Sequence, residues 1–83
     1  MKKLLYFGGE AWCSACRALW PVVEREAEGE GFDLKYYDLD TEEGSVMAEK
    51  YKVKGLPTLV VVDNQGDEVK RAVGSTAWKE IQG

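Results

Sequence analysis

Thr58-Leu59-Val60-Val61-Val62 is an unbroken apolar run made mostly of β-branched residues. Gly55 and Pro57 precede it, and Asp63-Asn64-Gln65-Gly66 follows it. A run this short between chain breakers reads as a strand, and its lack of alternation means that both of its faces are covered. A sheet covered on both sides needs helices above and below it, which constrains the chain to an α/β architecture. At 83 residues the sequence is read as one domain over residues 1–83. A domain of this size buries only about 60–65% of the surface that its unfolded chain exposes. Every other segment therefore has to serve that one sheet.

The remaining segments supply the layers. Lys3 to Phe7 is a short apolar stretch ended by Gly8-Gly9, which suits a buried strand. After a loop from Gly8 to Trp12, Cys13 to Glu28 reads as a helix. Cys16, Leu19, Trp20, Val23 and Ala27 recur at three- and four-residue spacing, and Arg17, Glu24, Arg25 and Glu28 take the other face. Pro21 falls inside this pattern and is expected to kink the helix rather than end it. Gly29 and Gly31 close the segment. Phe32 to Leu39 alternates, with Phe32, Leu34 and Tyr36 set against Asp33, Lys35 and Tyr37, and predicts a strand. Asp40 to Gly44 is read as a polar turn before a short helix over Ser45–Tyr51, with Val46, Met47 and Tyr51 on one side. Beyond the central run, Asp63 to Gly66 predicts a hairpin turn and Glu68 to Val73 its return strand. A last helix, from Ser75 or Thr76 to Gln82, is expected to carry a hydroxyl cap and to be anchored by Trp78 and Ile81. The order is β-α-β-α-β-β-α. A right-handed crossover makes the first two strands parallel and the hairpin makes the last two antiparallel, giving a four-stranded mixed sheet with helices on both faces.

Composition removes several function classes. Eleven basic against fifteen acidic residues leave a net charge of −4, so nothing electrostatic favours nucleic acid or anionic lipid. The amino-terminal apolar run stops after Leu4-Leu5-Tyr6-Phe7, short of the roughly 7–15 residues of a signal-peptide core. No stretch approaches the ~20 apolar residues of a membrane span, and a cytoplasmic location without membrane association is expected. There is no histidine, which excludes Cys–His and Ser–His–Asp catalysis and histidine metal sites.

The chemistry lies in Trp12-Cys13-Ser14-Ala15-Cys16. Two cysteines three apart at a helix start lie one turn apart on one face, close enough for their sulfurs to bond. Cys13 occupies the end where unpaired backbone N–H groups and the helix dipole favour a thiolate. Cys16, one turn in on the apolar face, is expected to be buried and slower to meet an external disulfide. Cys13 then acts as nucleophile and Cys16 as the resolving thiol of a dithiol–disulfide exchange. Other readings of the pair are a structural disulfide, an inert buried pair, or half of a metal site. The first closes too small a loop to stabilise much. The last lacks ligands within one chain, so a non-catalytic metal-binding module would need a second copy or an outside ligand.

Four elements in order extend this pattern, and the sequence resembles the thioredoxin family. Ala11-Trp12-Cys13-Ser14-Ala15-Cys16 is similar to the family's active-site motif after its first core strand. Pro21 matches the proline of the active-site helix, Gly55-Leu56-Pro57-Thr58 the cis-proline loop, and Gly74 the glycine flanking the substrate groove. The resemblance covers about Leu4 to Ile81. It implies a thioredoxin fold lacking the N-terminal strand and helix of longer thioredoxins, a cis Pro57 beside Cys13, and substrate contacts from Trp12, Leu56, Pro57 and Gly74. It further implies a monomer with no cofactor or metal, passing electrons to protein disulfides and reduced by a flavoprotein thioredoxin-type reductase. The short length points the other way, to a glutathione-dependent, glutaredoxin-like reductase. Two departures stand out. Ser14-Ala15 replaces the usual residues between the cysteines. The buried acid of many thioredoxins has no counterpart in Tyr6-Phe7, while Tyr36 falls at the position of its lysine partner. The proton acceptor for Cys16 is thus left among water, a tyrosine hydroxyl and Glu10.

Overall fold

A computed structural model describes residues 2–83; Met1, the first residue of the amino-terminal run, lies outside them. The strands are β1 (Lys2–Gly8), β2 (Phe32–Asp38), β3 (Thr58–Val62) and β4 (Glu68–Val73), and the helices are α1 (Ser14–Glu26), α2 (Glu42–Lys50) and α3 (Ala77–Gln82). They form one four-stranded sheet in the order β2-β1-β3-β4. β1 runs parallel to β2 and antiparallel to β3, and β3 is antiparallel to β4.

Leu4 to Phe7 of β1 and Leu59 to Val62 of β3 are unbroken apolar runs because each central strand supplies two cores. Side chains alternate across a strand, so Leu4 and Tyr6 join Leu59 and Val61 on one face. There they pack against Val23 and Ala27 from the first helical segment and Ala77, Trp78 and Ile81 near the chain end. Leu5 and Phe7 join Val60 and Val62 on the other face, under Ala48, Met47 and Tyr51. The antiparallel register, with Leu4 opposite Val61 and Tyr6 opposite Leu59, keeps each set on its own side. Fully buried side chains of this kind, such as Val23 and Leu59, each contribute about 1.5–3 kcal/mol.

Several sequence expectations need correction. Alternation puts Tyr37 on the polar side of its strand, but α2 covers that side, and Tyr37 is buried with its ring stacked on Phe7 at 5.4 Å. The predicted polar turn holds at Asp40 and Thr41 only, and Glu42 to Gly44 are helical instead. Thr41 caps α2, its Oγ1 accepting from the Gly44 N–H at 3.0 Å, so the helix starts at Glu42. Gly44 and Ala48 are its buried residues and Val46 points outward. The first helix ends at Glu26 and is followed by a 3₁₀ turn over Glu28–Glu30 that Gly31 closes at φ +85°. The helix itself runs on through Pro21. No hydroxyl caps α3: Thr76 Oγ1 bonds the Glu80 carboxylate at 2.8 Å, one turn along, rather than a backbone N–H.

Candidate active site

The site sits where β1 ends. At that end Gly9 turns the chain, its carbonyl accepting from the Trp12 N–H at 3.1 Å and the Cys13 N–H at 2.8 Å. This turn sets Cys13 at the N-cap of α1 in an extended conformation. Its Sγ accepts from the Cys16 N–H at 3.2 Å, which satisfies one of the donors that a helix start leaves unpaired. Cys13 and Cys16 are joined as a disulfide, with Cα atoms 5.2 Å apart. Cys16 is 1% exposed and Cys13 is partly exposed.

Each cysteine lines a different cavity. Cys13 lies in a groove of about 320 Å³ with Trp12, Leu39, Val53, Lys54 and the Gly55-Leu56 pair. Cys16 lines a separate hollow of about 240 Å³ with Glu10, Trp20 and Tyr36 among its walls. Trp12 is 58% exposed. Its indole N–H is aimed at the Asp40 carboxylate, 3.0 and 3.1 Å from the two oxygens, and its ring lies against Gly9, where a Cβ would come within 2.5 Å. In the sequence Asp40 is only one residue of a polar turn. Its partnership with Trp12 spans 28 positions and carries no local signal.

The Leu56–Pro57 peptide bond is cis. Pro57 is buried, and the Thr58 hydroxyl closes the turn before β3 by donating to the Gly55 carbonyl at 2.5 Å. Gly74 is not among the residues lining the groove. It sits behind the loop, its N–H donating to the Pro57 carbonyl at 2.8 Å. Of the residues singled out from sequence, Trp12, Cys13 and Leu56 thus share one groove, while Pro57 and Gly74 form the support beside it.

Beneath Cys16 lies a group of three aromatic rings. Tyr6 donates its hydroxyl to the Cys16 carbonyl at 2.8 Å, stacks on Tyr36 at 5.5 Å and meets Trp20 edge-on at 5.0 Å. Burial pushes the Tyr6 hydroxyl far above the ordinary phenol range, and Tyr36 adds to the effect. The Tyr36 hydroxyl is raised too, first by burial and then by the carboxylates of Asp38, Glu10 and Asp40. Among the described residues no three His, Cys, Asp or Glu side chains converge as metal ligands, and no helix is long and apolar enough to cross a membrane.

Residues 3–83 match the family model described as Thioredoxin. The chain belongs to the thioredoxin family. This thioredoxin-family chain is 39% identical to Thioredoxin-2 of Saccharomyces cerevisiae over 64 residues, which cover 77% of it and 60% of the yeast protein. It is 36% identical to the thioredoxin of Bacillus subtilis over 71 residues, covering 86% and 67% of the two chains. The crystal structure of reduced Schistosoma mansoni thioredoxin pre-protein superposes with a TM-score of 0.83 at 25% identity, over 98% of this chain and 73% of that one. Fasciola hepatica thioredoxin gives 0.79 at 31% identity, over 98% and 75%. The thioredoxin fold that the resemblance implied is the fold observed, and its four-stranded mixed sheet is the one read from the order of strands and helices.

Proposed function

We propose that this chain is a thiol–disulfide oxidoreductase that reduces protein disulfides, with Cys13 as nucleophile and Cys16 as resolving thiol. The observation that carries the reading is the contrast within the pair: Cys13 caps a helix and lines an apolar groove, and Cys16 is buried one turn behind it. In the reduced form the Cys13 thiolate attacks a substrate disulfide and forms a mixed disulfide, releasing the first substrate thiol. Cys16 then attacks the Cys13 sulfur, the second substrate thiol leaves, and the bond present in this structure is restored. Trp12 and Leu56 offer apolar contact to the substrate, and the loop at Pro57 offers backbone for an extended segment, a short strand addition.

The physiological setting belongs to the same proposal: a cytoplasmic electron donor, re-reduced by a flavoprotein thioredoxin-type reductase. Named thioredoxins among the relatives favour this over glutathione as reductant. The test is to supply the oxidised protein with a disulfide-bonded substrate protein and either thioredoxin reductase with NADPH or glutathione. Turnover with the reductase is expected. Turnover with glutathione alone would move the chain to the glutaredoxin type, and none with either reductant or with dithiothreitol would remove the activity.

A further inference from the structure

Resolution of the mixed disulfide needs Cys16 as an anion, yet Cys16 is buried, and the carboxylate on its hollow, Glu10, belongs to an exposed residue. Its surroundings are aromatic. A Cβ built on Gly8 would lie 3.2 Å from the Tyr36 hydroxyl and 3.3 Å from the Cys16 Cβ, so both crowd the same face of this glycine. Tyr36 and Cys16 also share the hollow that is separate from the substrate groove. The Tyr36 ring is held by Tyr6 and by Trp20, whose centroid is 4.7 Å away. Tyr6 is a poor candidate for the sulfur, because its hydroxyl is committed to the Cys16 carbonyl.

We propose that Tyr36 stabilises the Cys16 thiolate, its hydroxyl donating a hydrogen bond to that sulfur from the side hollow once the disulfide has opened. The inference rests on the exchange reaction proposed above. A neutral phenol donates a hydrogen bond to the forming anion, which a carboxylate cannot do. Burial keeps the hydroxyl neutral, and the carboxylates of Asp38, of Glu10 on the hollow and of Asp40 add to the effect. Arg17, also on the hollow, is tied to the Glu10 carbonyl at 2.9 Å. The step balances without a further reactant. The Cys16 thiol loses its proton to solvent in the hollow, and the thiolate attacks the Cys13 sulfur. The Cys13–Cys16 bond forms as the Cys13–substrate bond breaks, and the departing sulfur takes the electron pair and then a proton from solvent.

The experiment follows the resolving step alone. Reduced full-length protein is mixed with an aromatic disulfide that releases a coloured thiolate, and the second release, which reports Cys16 attacking the mixed disulfide at Cys13, is timed from pH 5 to pH 10. Tyr36→Phe keeps the stacked ring and removes only the hydroxyl. Loss of one hydrogen bond to a charged sulfur predicts about tenfold slower second release at pH 7, regained at higher pH, with the first release unchanged. Tyr6→Phe removes a hydroxyl from the same aromatic group and is expected to lower thermal stability without moving the pH profile. Superimposed profiles for Tyr36→Phe and the parent, or an equal displacement in both variants, overturn the assignment. A parent protein that gives no second release at any pH overturns the exchange reaction itself.

Discussion

Gly74 donates its N–H to the Pro57 carbonyl at 2.8 Å, fastening the end of β4 to the residue that leads into β3. Gly74 holds φ at +102°, and a Cβ there would meet nothing within 4 Å. Any cost of a side chain is therefore backbone strain rather than collision. Gly74→Ala is expected to lower stability by about 1–2 kcal/mol, seen in urea as a lower midpoint with an unchanged slope. An unaltered midpoint would mean that the fastening tolerates a different backbone conformation.

Gly44 poses the opposite problem. Its φ is unremarkable, but a Cβ would overlap the Asp38 carbonyl carbon and oxygen at the end of β2. Backbone cannot step aside as a flexible side chain can, so α2 would have to lift from the sheet and uncover Tyr37 and Phe7. Gly44→Ala is expected to cost about 3 kcal/mol or more. The companion change Ser45→Ala, one position along on an exposed site, is expected to alter the urea midpoint little.

These two glycines show where sequence reading stops. Thr58–Val62 and Glu68–Val73 are legible to the residue, because apolar runs and turn formers leave local marks. The position of Cys13 at a helix start is legible for the same reason. Gly44 looks like a turn residue, since nothing local records that β2 passes beneath it. Tyr37 looks like a member of the polar side, because its burial depends on a helix that arrives later in the chain. Within the site, Asp40 and the Tyr6–Cys16 bond are contacts between distant segments. Periodicity reports which face of an element is apolar, and it says nothing of what a polar tip will find there.

The unequal exposure of the cysteines gives a third prediction. Cys13→Ser is expected to abolish disulfide reduction. Cys16→Ser is expected to accumulate a mixed disulfide through Cys13, visible as a mass increase that a reductant reverses. In the reduced parent protein, iodoacetamide should label Cys13 well before Cys16, since the thiolate is the reacting form and access favours it. Faster labelling of Cys16 would reverse the roles.

Glu68 and Arg71 form a two-pronged pair at 2.6 and 2.7 Å on β4, and Arg71 also donates to the Tyr51 carbonyl at 2.6 Å. The hydrogen bond from Arg71 holds the Glu68 carboxyl below its ordinary range, with burial opposing and the Arg71 charge assisting. A group lowered in the folded state stabilises fully above its unfolded value, about pH 4.3, and loses that contribution as pH falls through the folded value. Glu68→Gln is therefore expected to be less stable than the parent at pH 7, by under about 1 kcal/mol because the pair is partly exposed. The gap should close in the most acidic buffers in which the protein still folds. Arg71→Met should cost roughly 1 kcal/mol more, since it also leaves the Tyr51 carbonyl without its donor. Urea midpoints across pH for the three proteins measure both effects, and a gap that widens in acid would contradict the sign.

Trp12 forms one wall of the groove beside Cys13, and it does so while more than half exposed. A side chain that open holds a fixed pose only if something restrains it. Two restraints are present: the flat contact with Gly9 and the indole N–H aimed between the Asp40 oxygens. Asp40→Ala removes the second and leaves both cysteines untouched. The groove wall then samples other positions, and part of the binding energy is spent on fixing it. The expected result is a KM for a disulfide-bonded protein raised about 2–10-fold, the effect of one lost hydrogen bond, with a much smaller change in kcat. Asp40→Asn keeps an acceptor oxygen without the charge and should fall between the two. Equal KM values in all three proteins would mean that the Gly9 contact alone sets the ring.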